Sequence, residues 1–147
     1  MAYKGPFRPR NPHKYKGDHT KIIYRSRWEL MCMDKFDTNS GVLQWSSEEI
    51  VIPYRSPIDG KMHRYFPDFW IKTRDINGVV SETLIEVKPF KETYAPALNK
   101  GKPNKRYLNE VYKWGINEAK WDQAKKYCQD RNWKWQIITE RELGLKF

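Results

Sequence analysis

The feature that most constrains the fold is a pair of apolar, strand-forming runs separated by a short turn sequence. Residues 66–90 read FPDFWIKTRDINGVVSETLIEVKPF, with Asp75 and Gly78 at the two ends of the turn. Aromatic and β-branched residues on both sides of an Asp, Asn and Gly cluster are typical of an antiparallel hairpin. The sequence therefore predicts two paired strands, and the chemistry of the chain depends on how they pair.

Two registers of this hairpin compete, and they differ in which side of the sheet Asp68 and Glu86 occupy. If the Asn-Gly pair formed a two-residue loop, the two acids would lie on opposite faces of the sheet. If Asp75 instead starts a type I turn and Gly78 takes the left-handed position of a three-residue loop, the two acids face each other. Asn-Gly is the best-known signal for the first loop, whereas Asp at the first turn position and Gly at the fourth favour the second. We expect the second register.

In the expected register Asp68 and Glu86 form a cross-strand pair that starts about 5 Å apart, and like charges placed in this way are destabilising. Lys88 lies two residues beyond Glu86, on the same face of the strand. A divalent cation between the acids would relieve their repulsion, and oxygen ligands with few imidazoles suit Mg²⁺, with Mn²⁺ as the second choice. The expected metal ligands are Asp68, Glu86 and Val87, and the expected reaction is phosphodiester hydrolysis, with Lys88 positioning water or steadying negative charge. The alternative is an ordinary solvated strand face.

The charge of the chain indicates its partner. Lys and Arg number 28 against 18 Asp and Glu, a net charge of +10 that favours a polyanion, nucleic acid first. With no apolar run of about 18 residues and no secretory segment, we expect neither a membrane protein nor a secreted one. No phosphate-binding or dinucleotide-binding glycine motif is present, so no small-molecule cofactor is expected. Cys32 and Cys128 lack disulfide or zinc spacing, which predicts two buried, reduced thiols.

Basic residues flank the predicted site on both sides in the sequence. Phosphate contacts of this kind give salt-sensitive affinity without sequence information, and nothing resembles a recognition helix. We therefore expect little sequence specificity. The expected DNA-binding residues are Arg25, Arg27, Lys91, Lys100, Lys102, Lys105 and Arg106.

Around this site the sequence predicts one α/β or α+β domain, residues 21–147, preceded by a basic, proline-containing arm, residues 1–20. Ser26 and Glu29 have capping-box spacing, which predicts a helix over about 27–38. Three antiparallel strands follow, then a helix, a fourth strand and a short helical tail. The corresponding stretches are VLQW with EEIVIPY, HRYFPDFWIKT, VVSETLIEVKP, the stripe from Leu108 to Cys128 with a candidate break at Gly115, WKWQIIT and ERELGLKF.

The order of PD, a strand turn and ExK, preceded by a helical Glu in a strongly basic chain, resembles the PD-(D/E)xK nuclease superfamily over about residues 20–140. The resemblance implies a single restriction-endonuclease-like domain, ordered helix-strand-strand-strand-helix-strand around a mixed central sheet. It also implies a metal-dependent endonuclease in which Asp68 and Glu86 bind metal, Lys88 is the catalytic lysine and Glu29 completes the site. The capping box alone also explains Glu29, and both interpretations remain open.

Longer stretches, among them NPHKYKGD, YRSRWE, RYFPDFWIK and EVKP, resemble the head completion proteins of T-even-type tailed phages over nearly the whole chain. This likeness implies action on the packaged DNA end or preparation of a filled head for tail joining. It also implies phage portal or head-tail connector proteins as partners, in the virion or the host cytoplasm. The endonuclease subunit of some bacterial transposases is a more distant likeness. A non-catalytic adaptor and a junction-resolving or transposase-type nuclease are the competing interpretations.

Overall fold

The computed structural model describes residues 3–97 and 104–144 of the chain. Two helices and eight strands are assigned within those ranges, together with two short 3-10 turns, Pro12–Lys14 and Phe90–Glu92. In chain order they are β1 (Gly5–Pro6), β2 (Ile23–Tyr24), α1 (Arg27–Thr38), β3 (Val42–Ser47), β4 (Ile52–Arg55), β5 (Met62–Tyr65), β6 (Phe69–Arg74), β7 (Val80–Val87), α2 (Lys105–Arg131) and β8 (Lys134–Ile138).

The central sheet has four strands in the order β3-β6-β7-β8. Its first three strands are antiparallel, whereas β8 runs parallel to β7. A parallel neighbour requires a long crossover, which α2 supplies. With α1 before β3, the sheet has the predicted order helix-strand-strand-strand-helix-strand and the predicted mixed pairing. The architecture is compatible with a single restriction-endonuclease-like domain.

The β6-β7 hairpin has the predicted register. Phe69 pairs with Ile85, and the pairing continues to the turn, where the amide of Asp75 donates to the carbonyl of Val79 at 3.0 Å. The amide of Gly78 donates to the carbonyl of Asp75 at 3.0 Å, and Gly78 has a φ of +79°. This is the three-residue loop with glycine in the left-handed position. It places Asp68, just before β6, and Glu86 of β7 on one face of the sheet.

The extent of the first two predicted strands was wrong. The first divides into β3 and β4, and the second into β5 and β6. Glu48, at a φ of 52°, interrupts the first, and Pro67, which has no amide to donate to a ladder, interrupts the second. As a result β4 and β5 pair with each other around the predicted turn at Pro57–Gly60, in a two-stranded sheet of their own.

Both faces of the central sheet are covered. On one face Met33 and Phe36 of α1 pack with Trp45 and Phe69. On the other, Trp121 of α2 belongs to a second apolar cluster that also includes residues of β4, β5, β6 and β7. Successive residues of a strand point to opposite faces, so the consecutive apolar pairs Phe69–Trp70 of β6 and Leu84–Ile85 of β7 supply both clusters.

The segment predicted as a basic arm is folded onto the domain. Tyr15 is buried in the same cluster as α1, and the Asp37 carboxylate accepts hydrogen bonds from the amides of Arg10 at 2.8 Å and Asn11 at 3.2 Å. The ammonium of Lys14 is also buried and donates to the carbonyl of Asp37 at 2.9 Å. Part of the positive charge in this segment is therefore structural and does not face a partner.

Further predictions concern the two helices, the helical tail, the cysteines and a membrane span. Helix α1 begins where predicted, with Ser26 as its N-cap, whereas α2 continues through Gly115 without a break. The helical tail was wrong, because residues 140–144 form turns, and residues 145–147 lie outside the described part of the chain. Both cysteines are buried and free, as predicted. No helix in the described ranges is long and apolar enough to cross a membrane.

Candidate active site

Asp68 and Glu86 come together at the end of the hairpin that is remote from the turn. Because Phe69 pairs with Ile85, the next positions outward, Asp68 and Glu86, lie opposite each other. The amide of Val87 donates to Oδ2 of Asp68 at 2.7 Å, which ties the bend before β6 to the end of β7. Glu86 is only 5% exposed. Both acids line one open cavity of about 360 Å³.

The cavity collects ten described residues from six parts of the fold. They come from α1, the bend after β3, β5, the bend before β6, the end of β7 and α2. The lining residues are Glu29, Glu48, Arg64, Tyr65, Phe66, Asp68, Glu86, Val87, Lys88 and Lys120.

The electrostatics of Asp68 reflect the crowding of acids. Burial raises the pKa of Asp68 well above its ordinary value, and the charge of Glu86 raises it further. The hydrogen bond from the amide of Val87 acts in the opposite direction. Glu86 is held from the other side, where Nε1 of Trp121 donates to its Oε2 at 3.3 Å. In this geometry each carboxylate keeps one neutral donor, and the mutual repulsion of the pair is not relieved by either donor.

The described residues offer a metal ion few side-chain ligands. No group of three or more His, Cys, Asp or Glu side chains in the described ranges is arranged to hold a metal. Among those same residues no Lys, Arg or His nitrogen lies within 4.0 Å of either Asp68 or Glu86. Mg²⁺ is usually bound by one or two carboxylates, with water and substrate phosphate completing its shell. Two facing carboxylates without a cationic partner fit that pattern, and Val87, the third expected ligand, lines the same cavity.

Lys88 lies directly beyond β7, on the same side as Glu86. Its amide donates to the carbonyl of Ile138 on β8 at 3.0 Å, so the parallel strand fixes the backbone at this point. Its half-buried side chain lines the cavity with the two acids. The structure thus places the acid pair and this lysine in one cavity, an arrangement that can hold a cation and a phosphate together.

Glu29 belongs to both the helix cap and the cavity. Its amide donates to Oγ of Ser26 at 3.1 Å, and its Oε1 accepts from the amide of Arg25 at 3.4 Å. Burial raises the pKa of Glu29, while the hydrogen bond from Arg25 lowers it. The capping and catalytic interpretations of Glu29 are therefore compatible. Glu29 takes part in the hydrogen bonds at the start of α1, and it also lines the cavity that contains Asp68.

Glu48 is a site residue that sequence reasoning missed. It follows β3 in the left-handed region, lines the cavity and forms an ion pair with Arg25. Its neighbour Glu49 is exposed and accepts a hydrogen bond from the hydroxyl of Tyr15 at 3.0 Å. Nothing in the sequence of Glu48 and Glu49 indicates which of the two side chains lines the cavity.

Lys120 and Trp121 were also missed, because the apolar stripe of α2 is explained by core packing alone. The stripe does pack as core, yet Trp121 also donates to Glu86, and Lys120 beside it lines the acid cavity. The available signal in the sequence was Lys120, a cationic residue next to Trp121, which is a buried aromatic residue of the stripe.

Of the expected DNA-binding residues, Arg25 and Arg27 lie at the start of α1 and are exposed. Arg25 is engaged with Glu48 at the rim of the acid cavity. Through this ion pair Arg25 borders the site.

The other expected DNA-binding residues do not line the acid cavity. Lys91 and Arg106 line a separate cavity of about 470 Å³ between the segment after β7 and α2. Nε of Arg106 lies 3.6 Å from Oε1 of Glu110. Lys105 is exposed at the start of α2. Lys100 and Lys102 lie outside the described residues.

Two comparisons with known proteins identify relatives of this chain. The model of the family described as TnsA-like endonuclease N terminal matches residues 39–140, which include Asp68, Glu86 and Lys88. The chain is also 42% identical to the head completion nuclease of Enterobacteria phage T4, over 99% of both chains. The chain therefore belongs to the TnsA-like family of endonuclease N-terminal domains and shares nearly its whole length with a phage head completion nuclease.

Proposed function

We propose that this protein is a metal-dependent endodeoxyribonuclease of the PD-(D/E)xK type that acts on DNA during phage head completion. One observation carries the proposal: two facing carboxylates, Asp68 and Glu86, share a cavity with Lys88 and have no cationic partner within 4.0 Å in the described ranges. A purely structural role gives no reason to keep two opposed acids at a sheet end. The name of the phage T4 relative supports head completion as the setting.

In the proposed mechanism Asp68, Glu86 and the backbone of Val87 hold Mg²⁺, with Mn²⁺ as a substitute. The ion, when bound, polarises the phosphate and lowers the pKa of a bound water. Hydrogen bonds from Val87 and Trp121 keep the two carboxylates in place before substrate arrives. Because these donors are fixed by the fold, little reorganisation is needed during the reaction.

The remaining groups act on the phosphate and the attacking water. The ammonium of Lys88 stabilises the negative charge that develops on the phosphate oxygens. Glu29, whose pKa is raised by burial, is available to accept a proton from the attacking water. Water oxygen forms a bond to phosphorus as the bond to one ester oxygen breaks, which leaves one phosphate monoester and one hydroxyl.

The substrate is proposed to be DNA of any sequence. Arg25, Arg27, Lys91, Lys105 and Arg106 are exposed cations suited to phosphate contacts, and we propose the same role for Lys100 and Lys102. We further propose that the protein acts at the filled head, where portal or head-tail connector proteins are its neighbours, in the virion or the host cytoplasm.

The test is a cleavage assay on supercoiled, linear, nicked and branched DNA, with Mg²⁺, Mn²⁺ or chelator. We expect metal-dependent cleavage that Asp68→Ala and Lys88→Ala each reduce by about 10²-fold or more. Matched controls are Asp122→Ala and Lys126→Ala, which remove exposed charges of α2 outside the cavity. Cleavage that persists in both site variants would remove the assignment, and no cleavage of any substrate would favour a non-catalytic adaptor.

A further inference from the structure

Helix α2 brings two consecutive residues to the acid pair, Trp121 through a hydrogen bond to Glu86 and Lys120 through the cavity lining, and only Trp121 has a role so far. Trp121 is buried and donates to Glu86, so its position is explained by packing and by that hydrogen bond. Lys120 lines the cavity with a half-buried side chain. A lysine normally buries its stem and extends its ammonium into water, so an ammonium that lies over two buried tyrosine rings needs a reason.

The surroundings of Lys120 hold its ammonium without neutralising it. Nζ lies 5.7 Å from the ring centroid of Tyr54 and 5.5 Å from that of Tyr65. No carboxylate in the described ranges lies within 4.0 Å of this nitrogen. Burial lowers the pKa of Lys120, the charge of Glu86 raises it, and the charge of Lys88 lowers it again. The charges of Glu86 and Lys88 therefore change the pKa of the Lys120 ammonium, yet this ammonium forms no ion pair within the described ranges.

The charge balance of the cavity indicates what Lys120 would meet. Among the described lining residues there are four carboxylates, two ammonium groups and one guanidinium, a net charge of minus one when all are ionised. A bound divalent cation would change that net charge to plus one. The metal-loaded cavity would then be complementary to a phosphodiester, which carries one negative charge. In that state Asp68 and Glu86 would be engaged by the metal, and the ammonium groups of Lys88 and Lys120 would be left to the anion.

The two lysines approach the cavity from different layers of the fold. Lys88 follows β7 at the end of the central sheet, whereas Lys120 projects from α2 over the tyrosine rings of β4 and β5. We propose that Lys120 is a second active-site lysine, whose ammonium contacts a non-bridging oxygen of the DNA phosphate that enters the cavity. This inference rests on the proposed function and adds a substrate contact from the helix side.

The experiment compares Lys120→Met and Lys120→Arg with Lys126→Met, which removes an exposed lysine of the same helix. Met keeps the apolar contact with the tyrosine rings and removes the charge. Equilibrium binding of a 20-base-pair duplex is measured in Ca²⁺ over a range of salt concentrations, and single-turnover cleavage is measured in Mg²⁺. Thermal unfolding of each variant identifies loss of folding.

We expect Lys120→Met to lower the slope of log Kd against log salt by about one, the value for one lost phosphate contact on duplex DNA. We expect its cleavage rate to fall about 10²-fold, with partial recovery in Lys120→Arg and no change in Lys126→Met. An unchanged slope and cleavage rate would overturn the inference. Lower thermal stability of Lys120→Met with an unchanged salt dependence of Kd would also overturn the inference, because Lys120 would then only stabilise the packing of the tyrosine rings.

These outcomes are separable from failure of the proposed function. A wild-type protein that binds DNA without cleaving it would refute the nuclease, while the binding slopes would still decide whether Lys120 contacts phosphate. A wild-type protein that cleaves DNA with Lys120→Met fully active would leave the nuclease intact and refute only the second lysine. A protein that binds no DNA would refute both.

Discussion

Replacing Asp68 with Asn should stabilise the metal-free protein while abolishing its proposed activity. The Asn side chain has nearly the same shape, and its oxygen can still accept the hydrogen bond that the amide of Val87 donates to Asp68 at 2.7 Å. What the substitution removes is the negative charge facing Glu86. Most core or site substitutions destabilise a protein, so a gain in stability would specifically report relief of like-charge repulsion.

The magnitude follows from the cross-strand geometry. Two unit charges about 5 Å apart repel by about 3 kcal/mol at an effective dielectric constant of ~20. Asp68 is partly exposed, and water reduces the repulsion, so we expect a gain of roughly 1–3 kcal/mol at pH 8. For a domain of this size that corresponds to an increase in Tm of about 3–10 °C.

The gain should depend on pH in a defined direction. Burial and the charge of Glu86 raise the pKa of Asp68 in the folded state, whereas the pKa of an unfolded Asp is about 3.9. Below about pH 4 both states are protonated, and Asp68 costs no stability. As the pH rises from there towards the folded pKa, the wild-type protein loses stability relative to the variant. The difference then stays constant above the folded pKa.

Thermal unfolding of wild type, Asp68→Asn and the control Asp122→Asn between pH 4 and pH 8, in chelator, measures this effect. Added Mg²⁺ at pH 8 should raise the Tm of wild type more than that of Asp68→Asn, because only the wild type offers the full acid pair. A variant that is less stable than wild type at pH 8, or equally stable at every pH, would refute the argument that the two acids repel each other.

Three further predictions concern the turn, the helix contact and the cap. Gly78→Ala should lower the free energy of unfolding by about 1 kcal/mol, measured in urea. The cause is left-handed backbone strain alone, since an added Cβ at Gly78 meets no atom within 4 Å. An unchanged urea midpoint would contradict this. Trp121→Phe keeps an aromatic ring in the core but removes the donor to Glu86, so single-turnover cleavage should fall about tenfold with little change in DNA affinity; equal rates would exclude a positioning role. Glu29→Gln should abolish cleavage with less than about 1 kcal/mol of stability lost, whereas Ser26→Ala should cost about 1 kcal/mol of stability and leave cleavage largely intact. The reverse pattern would make Glu29 a capping residue only.

The elements that were predictable from sequence are those that local rules determine. The register of the hairpin is one of the two that the turn residues allow, with Asp75 and Gly78 favouring it, and the start of α1 follows from Ser26. Both depend on contacts within four residues of the chain. The order of helices and strands follows from periodicity, which also depends only on neighbours in sequence.

The errors occurred where tertiary packing competes with local preference. The stretch around Pro67 has strand composition on both sides, and only the separate pairing of β4 with β5 shows that the strand ends there. Gly115 has low helix propensity, but α2 continues through it while packing on the sheet and on β4.

By itself, the sequence limited the hairpin to two registers and favoured the one in which Asp68, Glu86 and Lys88 share a face, because turn chemistry and the two-residue period of a strand need no other part of the chain. Only the tertiary structure decided that Glu48 turns towards these acids and that α2 brings Lys120 and Trp121 to them. Trp121 and Glu86 are 35 residues apart, and their contact depends on how a 27-residue helix docks on the sheet. Such docking is set by the burial of apolar surface between helix and sheet, and no short stretch of sequence contains that information.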